Sequence, residues 1–481
     1  MTDNSIKTNR LIIGLVAVVV IGAIALYQWQ GSISGKKSPF QPVKSKVSEY
    51  SLDNGMKIIV REDHRAPVVV SQIWYKVGAS YEHGGITGVS HVLEHMMFKG
   101  TTAHPPGEFS KIISENGGRE NAFTGRDYTA YFQQLEKSRL AVSFELEADR
   151  MRNLLLLPEE FAKEVKVVME ERRLRTEDNP QSLTYENFAA TAFQTSPYHN
   201  PIIGWMNDLE NMNIQDLQAW YKKWYAPNNA TLVVAGDVNP KEVYLLAQKY
   251  FGVIPRSKNG VNKPQLETEQ NGIRRIVVKR PAKLAYLLMG YQVPVLKTAK
   301  EEWEPYALEV LAEIMDGDES ARLTTNLVRG QQIVAAASAS YDILARLQSL
   351  FLFSGVPSEG KTVQEIEQAL RVEIERVKNE PVSREELERV KTQVVASDVY
   401  EKDSVFYQAM QIGTLETIGL NWKLMDEYVE RIRAVTPEQV QQVARKYLIE
   451  DHLTVAVLEP LPLENKKGMT NAGGSTHDTR H

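Results

Sequence analysis

The stretch GVSHVLEHMMFKGT occupies residues 88–101 and has the apolar spacing of a largely buried helix. In a helix, His91 and His95 lie on one face, a turn apart, so two imidazoles can bind one metal ion. Glu94 is adjacent to His95, which brings its carboxylate beside such an ion without making it an obvious ligand. Two histidine ligands, an activated water and a carboxylate that accepts its proton are the parts of a metal-dependent hydrolase. The order HxxEH inverts the more usual HExxH and preserves these parts.

The composition narrows the choice of metal ligands. The 481 residues include no cysteine, so disulfides, thiolate metal sites and cysteine nucleophiles are excluded. Of the nine histidines, His477 and His481 lie in a polar tail. An alternative interpretation is that the histidines and the glutamate of residues 91–95 fall at this spacing by chance and form hydrogen bonds in a core. A metal is favoured, because burying these groups without a partner in an apolar helix costs free energy.

A third protein ligand is expected from the helical stretch LLPEEFAKEVKVVMEERRL, residues 156–174. Glu171 follows Val168 by three residues and lies at the edge of the apolar face, so we predict that it completes a His-His-Glu ligand set. Glu164 precedes Glu171 by two helical turns and shares its face. This position predicts a carboxylate that orients the site or faces the substrate. Glu170 belongs to the solvated face of the same helix.

The bulk composition is typical of a folded chain with more than one domain. Its length of 481 residues exceeds what one core usually organises, and 43% of the residues are apolar. The 61 acidic and 56 basic residues give a net charge of -5. The basic residues alternate with glutamates along amphipathic helices and form no basic stripe, so we expect no nucleic-acid partner.

The N-terminus carries a membrane-directed pattern. Residues Leu11–Tyr27 (LIIGLVAVVVIGAIALY) are continuously apolar, and their length of about 17 residues reaches the lower limit for a membrane span. We predict a cytoplasmic stub and single-pass anchor at 1–30 and a tether at 31–45, with the folded body in the periplasm at the inner membrane. The alternative is a cleaved signal and a soluble periplasmic protein, because Ala23-Ile24-Ala25 satisfies the small-x-small rule.

The rest of the chain repeats one plan twice. HVLEHMM at 91–97 aligns with EVLAEIM at 309–315, which lacks the histidines, so only the first half is expected to bind metal. Alternating strand patterns followed by long helical patterns predict an α+β fold of two homologous α/β-sandwich domains, each a mainly antiparallel sheet packed by helices. We predict a metal-binding domain at 46–256, a linker at 257–272, a homologous metal-free domain at 273–464 and a disordered tail at 465–481.

The motif HVLEHMMFKGT, with Glu171 following His95 by 76 residues and Glu164 seven residues before Glu171, closely resembles the pitrilysin (insulinase) family of zinc peptidases. This family includes insulin-degrading enzymes and mitochondrial processing peptidases. The resemblance covers roughly residues 45–460 and is to the short two-domain branch. It implies Zn²⁺ as the cofactor, a clam-like chamber between the two domains, and endopeptidase cleavage of peptides or unfolded polypeptides inside it.

The resemblance also gives a role to GGRENAFTGRDYTAYF, residues 117–132. By family analogy, Asn121, Ala122 and Phe123 lie on an edge strand that binds the substrate as a further strand through main-chain hydrogen bonds. Without the analogy, the two glycines before an alternating strand indicate only a turn, and Asn121 a turn cap.

The second half departs from the family pattern. Active single-chain members carry there an arginine and a tyrosine seven residues apart, which grip the substrate near the scissile carbonyl. In TTNLVRGQQIVAAAS (324–338) these positions are Val328 and Ala335. This departure resembles the metal-binding subunit of heterodimeric members, in which a homologous partner chain without HxxEH supplies the arginine and tyrosine. We predict a zinc endopeptidase and keep such a heterodimer as an alternative. Further alternatives are a shifted loop that brings Tyr341 to the site, a non-catalytic peptide-binding scaffold, and an unrelated membrane-tethered hydrolase.

Overall fold

The computed structural model describes residues 47–258, 263 and 265–463. These residues form two similar halves, and each half is a mixed β-sheet covered by helices. The predicted anchor, the predicted tether and the predicted C-terminal tail lie outside the described residues. Within the described ranges, no helix is both long enough and apolar enough to cross a membrane.

The first half runs from strand β1 to helix α8. Its elements, in chain order, are β1 (Val47–Ser51), β2 (Lys57–Glu62), β3 (Val68–Tyr75), α1 (Val89–Met96), α2 (Glu108–Glu115), β4 (Arg119–Thr124), β5 (Thr129–Glu136), α3 (Leu140–Asn153), α4 (Pro158–Arg172), α5 (Pro180–Ala192), α6 (Met206–Asn211), α7 (Ile214–Trp224), β6 (Ala230–Gly236) and α8 (Pro240–Tyr250).

From strand β7 onward the second half repeats the order from β2 to β6, and its described residues contain no counterpart of β1, α2 or α8. Its elements are β7 (Arg274–Pro281), β8 (Tyr286–Val293), α9 (Glu304–Asp316), β9 (Val334–Tyr341), β10 (Ser349–Pro357), α10 (Val363–Asn379), α11 (Arg384–Glu401), α12 (Val405–Thr417), α13 (Leu424–Ala434), α14 (Pro437–Tyr447) and β11 (Leu453–Leu461).

The five strands of the second sheet follow the same topology as five of the six strands of the first sheet, which has β1 in addition. The first has the order β1-β2-β6-β3-β5-β4 and the second the order β7-β11-β8-β10-β9. In each sheet one neighbouring pair is parallel, β2 with β6 and β7 with β11, and the other pairs are antiparallel. The aligned stretches 91–97 and 309–315 therefore fall on equivalent helices, α1 and α9.

Burial follows the position of a strand in the sheet. The central strands β3 (VVVSQIWY) and β6 (ATLVVAG) are mostly apolar and are almost completely buried. Both of their faces are covered, and near-continuous apolar runs are typical of such strands. The outer strand β4, with the sequence RENAFT, is polar and half-buried. The first sheet thus keeps an accessible edge at β4.

One helix from each half packs against the sheet of the other half. Helix α5 belongs to the first half by sequence but packs against β7, β8 and β11 of the second sheet, where Phe188 and Ala192 are buried beside Leu288. Helix α12 does the reverse and packs against β3 and β6 of the first sheet, where Ile412 is buried near Trp74. The division into domains at 46–256 and 273–464 stays a prediction, because each half contributes a helix to the other's core.

A buried polar cluster also joins the halves. Arg346 of the second half lies 3.0 Å from Asp127 Oδ1 and donates to Ser80 Oγ at 2.7 Å. Tyr198 donates to the other oxygen of Asp127 and accepts a hydrogen bond from the backbone N–H of Leu347 at 3.1 Å. Because Asp127 lies in the turn after β4, this cluster fixes the end of the accessible edge relative to the second half.

Gly413 allows α12 to approach the first sheet closely, and we predict that alanine there destabilises the fold. A Cβ atom at this position would lie 2.0 Å from Cε2 of the buried Trp74 ring. Overpacking of this kind typically costs about 1–3 kcal/mol, so Gly413→Ala is expected to lower the free energy of unfolding by about that amount. Denaturant unfolding measures the change.

Gly84→Ala is the matched control, because nothing lies within 4 Å of the Cβ position at Gly84. Equal stability of the Gly413→Ala variant and the unsubstituted protein would contradict the described packing of α12.

Candidate metal centre

The helix with the HxxEH motif is held firmly at its N-terminus. Glu82 accepts hydrogen bonds from the backbone N–H groups of Gly88 at 2.7 Å and Ser90 at 2.8 Å. A carboxylate suits this end of a helix, where N–H groups have no intrahelical partner. Gly88 has a φ of 87°, and a Cβ there would meet the carbonyl oxygen of Ile203 at 2.6 Å. These contacts fix the direction in which α1 presents its side chains.

The three predicted metal ligands lie together. His91 Nε2 is 3.9 Å from Glu171 Oε1, and His95 Nε2 is 3.5 Å from Glu171 Oε2. One nitrogen from each histidine and one oxygen of Glu171 all lie within 4.8 Å of one another. This donor set, two imidazoles and a carboxylate, is one that zinc uses in catalytic sites. Residues from α1 and α4 therefore form a cradle that fits the ion.

The protonation state of His91 suits metal binding. Burial lowers the pKa of His91 to about 3, and the nearby His95 and Arg175 act in the same direction. The imidazole is therefore neutral at physiological pH, as a metal ligand must be.

Glu164 lies behind the ligand set, next to His95. Its Oε2 is 3.2 Å from Nδ1 of His95, and its Oε1 is 2.5 Å from Nζ of Lys99. A carboxylate on Nδ1 fixes the tautomer that leaves Nε2 free to bind a metal. The structure places Glu164 against His95, and the orienting role of Glu164 stays a prediction.

Glu94 is fixed by a residue that the sequence analysis did not single out. Thr124, the last residue of β4, donates its hydroxyl to Glu94 Oε2 at 2.5 Å. Burial raises the pKa of Glu94, while the Thr124 hydrogen bond and His95 oppose that rise. A raised pKa brings a carboxylate closer to the pH at which it can both accept and return a proton. The sequence signal was available, since Thr124 alternates with Ala122 and so shares its face of the strand.

The metal cleft is an open cavity of about 810 Å³. Its lining includes the three predicted ligands, Glu94, and all three residues predicted to bind substrate, Asn121, Ala122 and Phe123. The latter lie on β4, the outer strand of the sheet. Further polar residues that line it are Arg126, Arg175, Tyr185 and His199.

Two arginines of the cleft were not predicted. Arg175 lies one helical turn beyond Glu171, in the π-helical segment Arg173–Glu177, and forms an ion pair with Glu171. Arg126 donates to the hydroxyl of Tyr185 at 3.0 Å. Both arginines come from the first half.

The positions expected for the second-half arginine and tyrosine lie elsewhere. Val328 packs against the core of the second half, and Ala335 lies on β9. Tyr341 donates its hydroxyl to the carbonyl oxygen of Pro294 at 2.7 Å. In the part of the chain that the structure describes, the residues lining the metal cleft do not include these three. Tyr341 instead lines an adjoining cavity of about 240 Å³, which shares Arg126 and Tyr185 with the metal cleft.

Comparison with known proteins gives this arrangement a family. The profile described as Insulinase (Peptidase family M16) matches residues 57–205, and the profile described as Peptidase M16 inactive domain matches residues 211–394. The zinc protease PqqE of Helicobacter pylori is 32% identical over 343 residues, which is 70% of this chain and 76% of PqqE. The chain belongs to the M16 peptidase family. The predicted resemblance to the insulinase and pitrilysin group is thereby confirmed.

Other M16-like proteins cover most of the chain. An uncharacterized zinc protease of Bacillus subtilis, YmxG, is 24% identical over 416 residues, covering 86% of this chain and 98% of its own. The crystal structure of a protease from Helicobacter pylori has a TM-score of 0.82 at 28% identity and is matched over its full length by 86% of this chain. The periplasmic protease PqqL of Escherichia coli shares the fold, with a TM-score of 0.74 at 18% identity, and this chain covers 52% of it.

Proposed function

We propose that this M16 protein is a zinc-dependent endopeptidase that cleaves peptides or unfolded polypeptides. The observation that carries the proposal is the convergence of His91, His95 and Glu171 beside the carboxylate of Glu94. The relatives named zinc proteases support Zn²⁺ as the ion. His91, His95 and Glu171 would hold it, and Glu164 would orient His95. When bound, zinc supplies Lewis acidity, which polarises a carbonyl oxygen and makes water acidic.

The proton transfers fall to Glu94. Its carboxylate accepts the proton of the water that attacks the peptide carbonyl and passes it to the nitrogen of the leaving amine. Thr124 holds one oxygen of Glu94 by a hydrogen bond, which leaves the other oxygen for the water. Arg175 and Arg126 line the same cleft and can stabilise negative charge on the carbonyl oxygen.

Substrate binding is proposed at the edge of the first sheet. Asn121, Ala122 and Phe123 lie on β4, the outer strand of the sheet, where alternate residues turn their main-chain groups to the open side, so an extended peptide can add as a further strand. Such binding depends little on sequence and suits unfolded polypeptides. The adjoining cavity, with walls from both halves, supports a chamber shared by the two domains.

A heterodimeric form of the enzyme is the second candidate. It is favoured by Val328 and Ala335, which replace the arginine and tyrosine of active single-chain members. This chain covers 52% of PqqL and 92% of the structure of the first half of that protein, so about half of PqqL lies beyond the part that this chain matches. We propose that a homologous partner chain without HxxEH accompanies this chain in the same way.

We also propose that residues 11–27 anchor the protein to the inner membrane with its body in the periplasm.

Removal and return of zinc test the proposed activity. The full chain, purified in mild detergent, is treated with a chelator, and cleavage of a quenched fluorescent peptide is followed before and after one equivalent of Zn²⁺. We expect cleavage to disappear with the metal and to return with it. Zinc binding without cleavage would reject the self-sufficient enzyme, and restoration by the partner chain would establish the heterodimer. Cleavage that persists without metal would overturn both.

A further inference from the structure

The second half contains a cavity of about 350 Å³, and three of the helices that line it correspond to helices that line the metal cleft. Helix α9 takes the place of α1, α11 that of α4 and α12 that of α5, while α13 lines this second cavity alone. The duplicated fold therefore places a cavity beside the equivalent helix of each half. The metal cleft is one of these two cavities, and the proposed peptidase mechanism does not use the other.

The chemistry of this second cavity differs from that of the metal cleft. Glu309 takes the position of His91, Glu313 that of His95, and Ala312 that of Glu94. Asp398 and Glu401 on α11 also line the cavity. The described residues that line it include four carboxylates and neither lysine nor arginine. Its lining therefore favours a positively charged occupant.

The carboxylates of this cavity differ in their ion-pair and hydrogen-bond partners. Asp398 is paired with Lys402 at 2.7 Å. Glu309 accepts a hydrogen bond from Tyr428 at 2.8 Å through Oε1, but its Oε2 atom is buried with no hydrogen-bond partner. Buried polar atoms in folded proteins almost always have a partner, and leaving one without a partner costs free energy. The unpartnered oxygen of Glu309 is a second indication, independent of the charge count, that a donor binds here.

The geometry argues against a bare metal ion as the occupant of this cavity. Among the described residues, only His91, His95 and Glu171 bring three donor atoms within 4.8 Å of one another. The lining also includes apolar side chains, among them Ile343, Leu415, Leu424 and Met425. Apolar walls with a few convergent polar groups are typical of organic ligand sites, and the volume is sufficient for an amino-acid side chain.

We propose that this acidic cavity binds an ammonium or guanidinium group carried on an aliphatic arm. The charged head lies against Glu309 and Glu313, and the arm packs against the apolar side chains of the lining. Two sources share this chemistry, the side chain of lysine or arginine in a peptide and a free alkyl amine. The proposal does not depend on the proposed peptidase activity, because none of the residues involved lies in the metal cleft.

The site also predicts the pH dependence of binding. Burial raises the pKa of Glu309 to about 8, and the groups that face it are Glu313, Asp342, Asp398 and the hydroxyl of Tyr428. A cation beside the carboxylate favours its ionised form, so binding at pH 7 releases a proton. Affinity for an amine is therefore expected to rise between pH 6 and pH 8, because the fraction of ionised Glu309 rises.

Isothermal titration calorimetry tests the proposal on the full chain with Glu94→Gln, which prevents turnover. The probes are pentylamine and Nα-acetyl-lysine N-methylamide, and their neutral counterparts are pentanol and the norleucine analogue. We expect saturable binding of at least one cationic probe and no binding of the neutral ones. Binding of the blocked lysine alone would assign the site to peptide side chains, and binding of pentylamine alone to free amines. Absence of binding by both, or equal binding of the neutral probes, would overturn the proposal.

Variants locate the binding. Glu309→Gln is expected to weaken the affinity by about tenfold or more, as loss of a charged hydrogen-bond partner does. Glu375→Gln makes the same chemical change on the exposed face of α10 and should leave the affinity unchanged. If Glu309→Gln does not fold, the affinity of Glu313→Gln locates the binding instead. The release of protons on binding to the unsubstituted cavity is a second test, and it is measured by titration in two buffers of different ionisation enthalpy. Equal affinity in all folded variants, or no proton release, would reject this site.

Discussion

Glu94→Gln is expected to lower the peptide-cleavage rate by about two to four orders of magnitude, the usual contribution of a general base. The amide retains the shape of the side chain and the hydrogen bond from Thr124, but it cannot accept a proton. Zinc content should stay near one ion per chain, because Glu94 is not among the three grouped ligands. Cleavage of a quenched fluorescent peptide and metal analysis of the same sample measure the two effects.

The pH profile gives a further check on the role of Glu94. Activity requires the ionised carboxylate, and burial raises its pKa above the ordinary value of 4.5. The rate should therefore fall on the acid side at a higher pH than an exposed glutamate would give. Glu170→Gln is the control, because Glu170 is exposed on α4 and forms an ion pair with Arg173. Full activity of the Glu94→Gln variant would end this mechanism.

Glu171→Ala is expected to release the metal. It removes one of three protein ligands, so zinc affinity should fall by more than the about 10- to 100-fold that loss of an orienting partner typically costs. Glu164→Gln should fall within that smaller range, because Glu164 contacts His95 at 3.2 Å and completes no ligand set. Competition with a fluorescent zinc chelator measures both affinities.

The adjacent Glu170→Ala variant controls for a general change of charge on this helix. Its side chain is 65% exposed, against 17% for Glu171, so zinc affinity should not change. Retention of zinc by Glu171→Ala would show that the ion binds elsewhere or that the ligand set is different.

The ligand set could be predicted because it rests on local periodicity. His91 and His95 are separated by four residues of one helix, and helical phase alone distinguishes Glu171 from Glu170. The structure places Glu171 against both histidines and leaves Glu170 in solvent. The repeated plan of the two halves was likewise visible, because α1 and α9 carry matching apolar patterns.

Other features depend on contacts that sequence patterns do not encode. Nothing in the stretch 180–192 indicates that this helix packs on the second sheet, and its apolar residues would suit either sheet. The hydrogen bond from Thr124 to Glu94 joins residues 30 positions apart on a strand and a helix. The role of Arg346 as a link to Asp127 depends on how the halves are placed relative to each other. These contacts join residues that are distant in sequence, and local propensity does not determine them.

In the second half, the duplicated helix keeps its packing, but its side chains at the cavity have a different chemistry. EVLAEIM retains the apolar pattern of HVLEHMM, so α9 packs as α1 does. The exchange of two histidines for Glu309 and Glu313 removes the metal ligands but keeps two polar side chains pointing into a cavity. The sequence alignment identified the loss of the metal site. It did not reveal the cavity, which is formed by residues from α9, α11, α12 and α13.

The proposed peptidase activity requires a zinc ion held by His91, His95 and Glu171. An anomalous-difference map, measured at the zinc absorption edge from crystals of the Glu94→Gln variant, tests it most directly. We predict one strong peak between the two Nε2 atoms and the Glu171 carboxylate, at about 2.0–2.2 Å from each. A zinc peak held by other residues, or no peak between these three side chains in zinc-loaded crystals, would contradict the account.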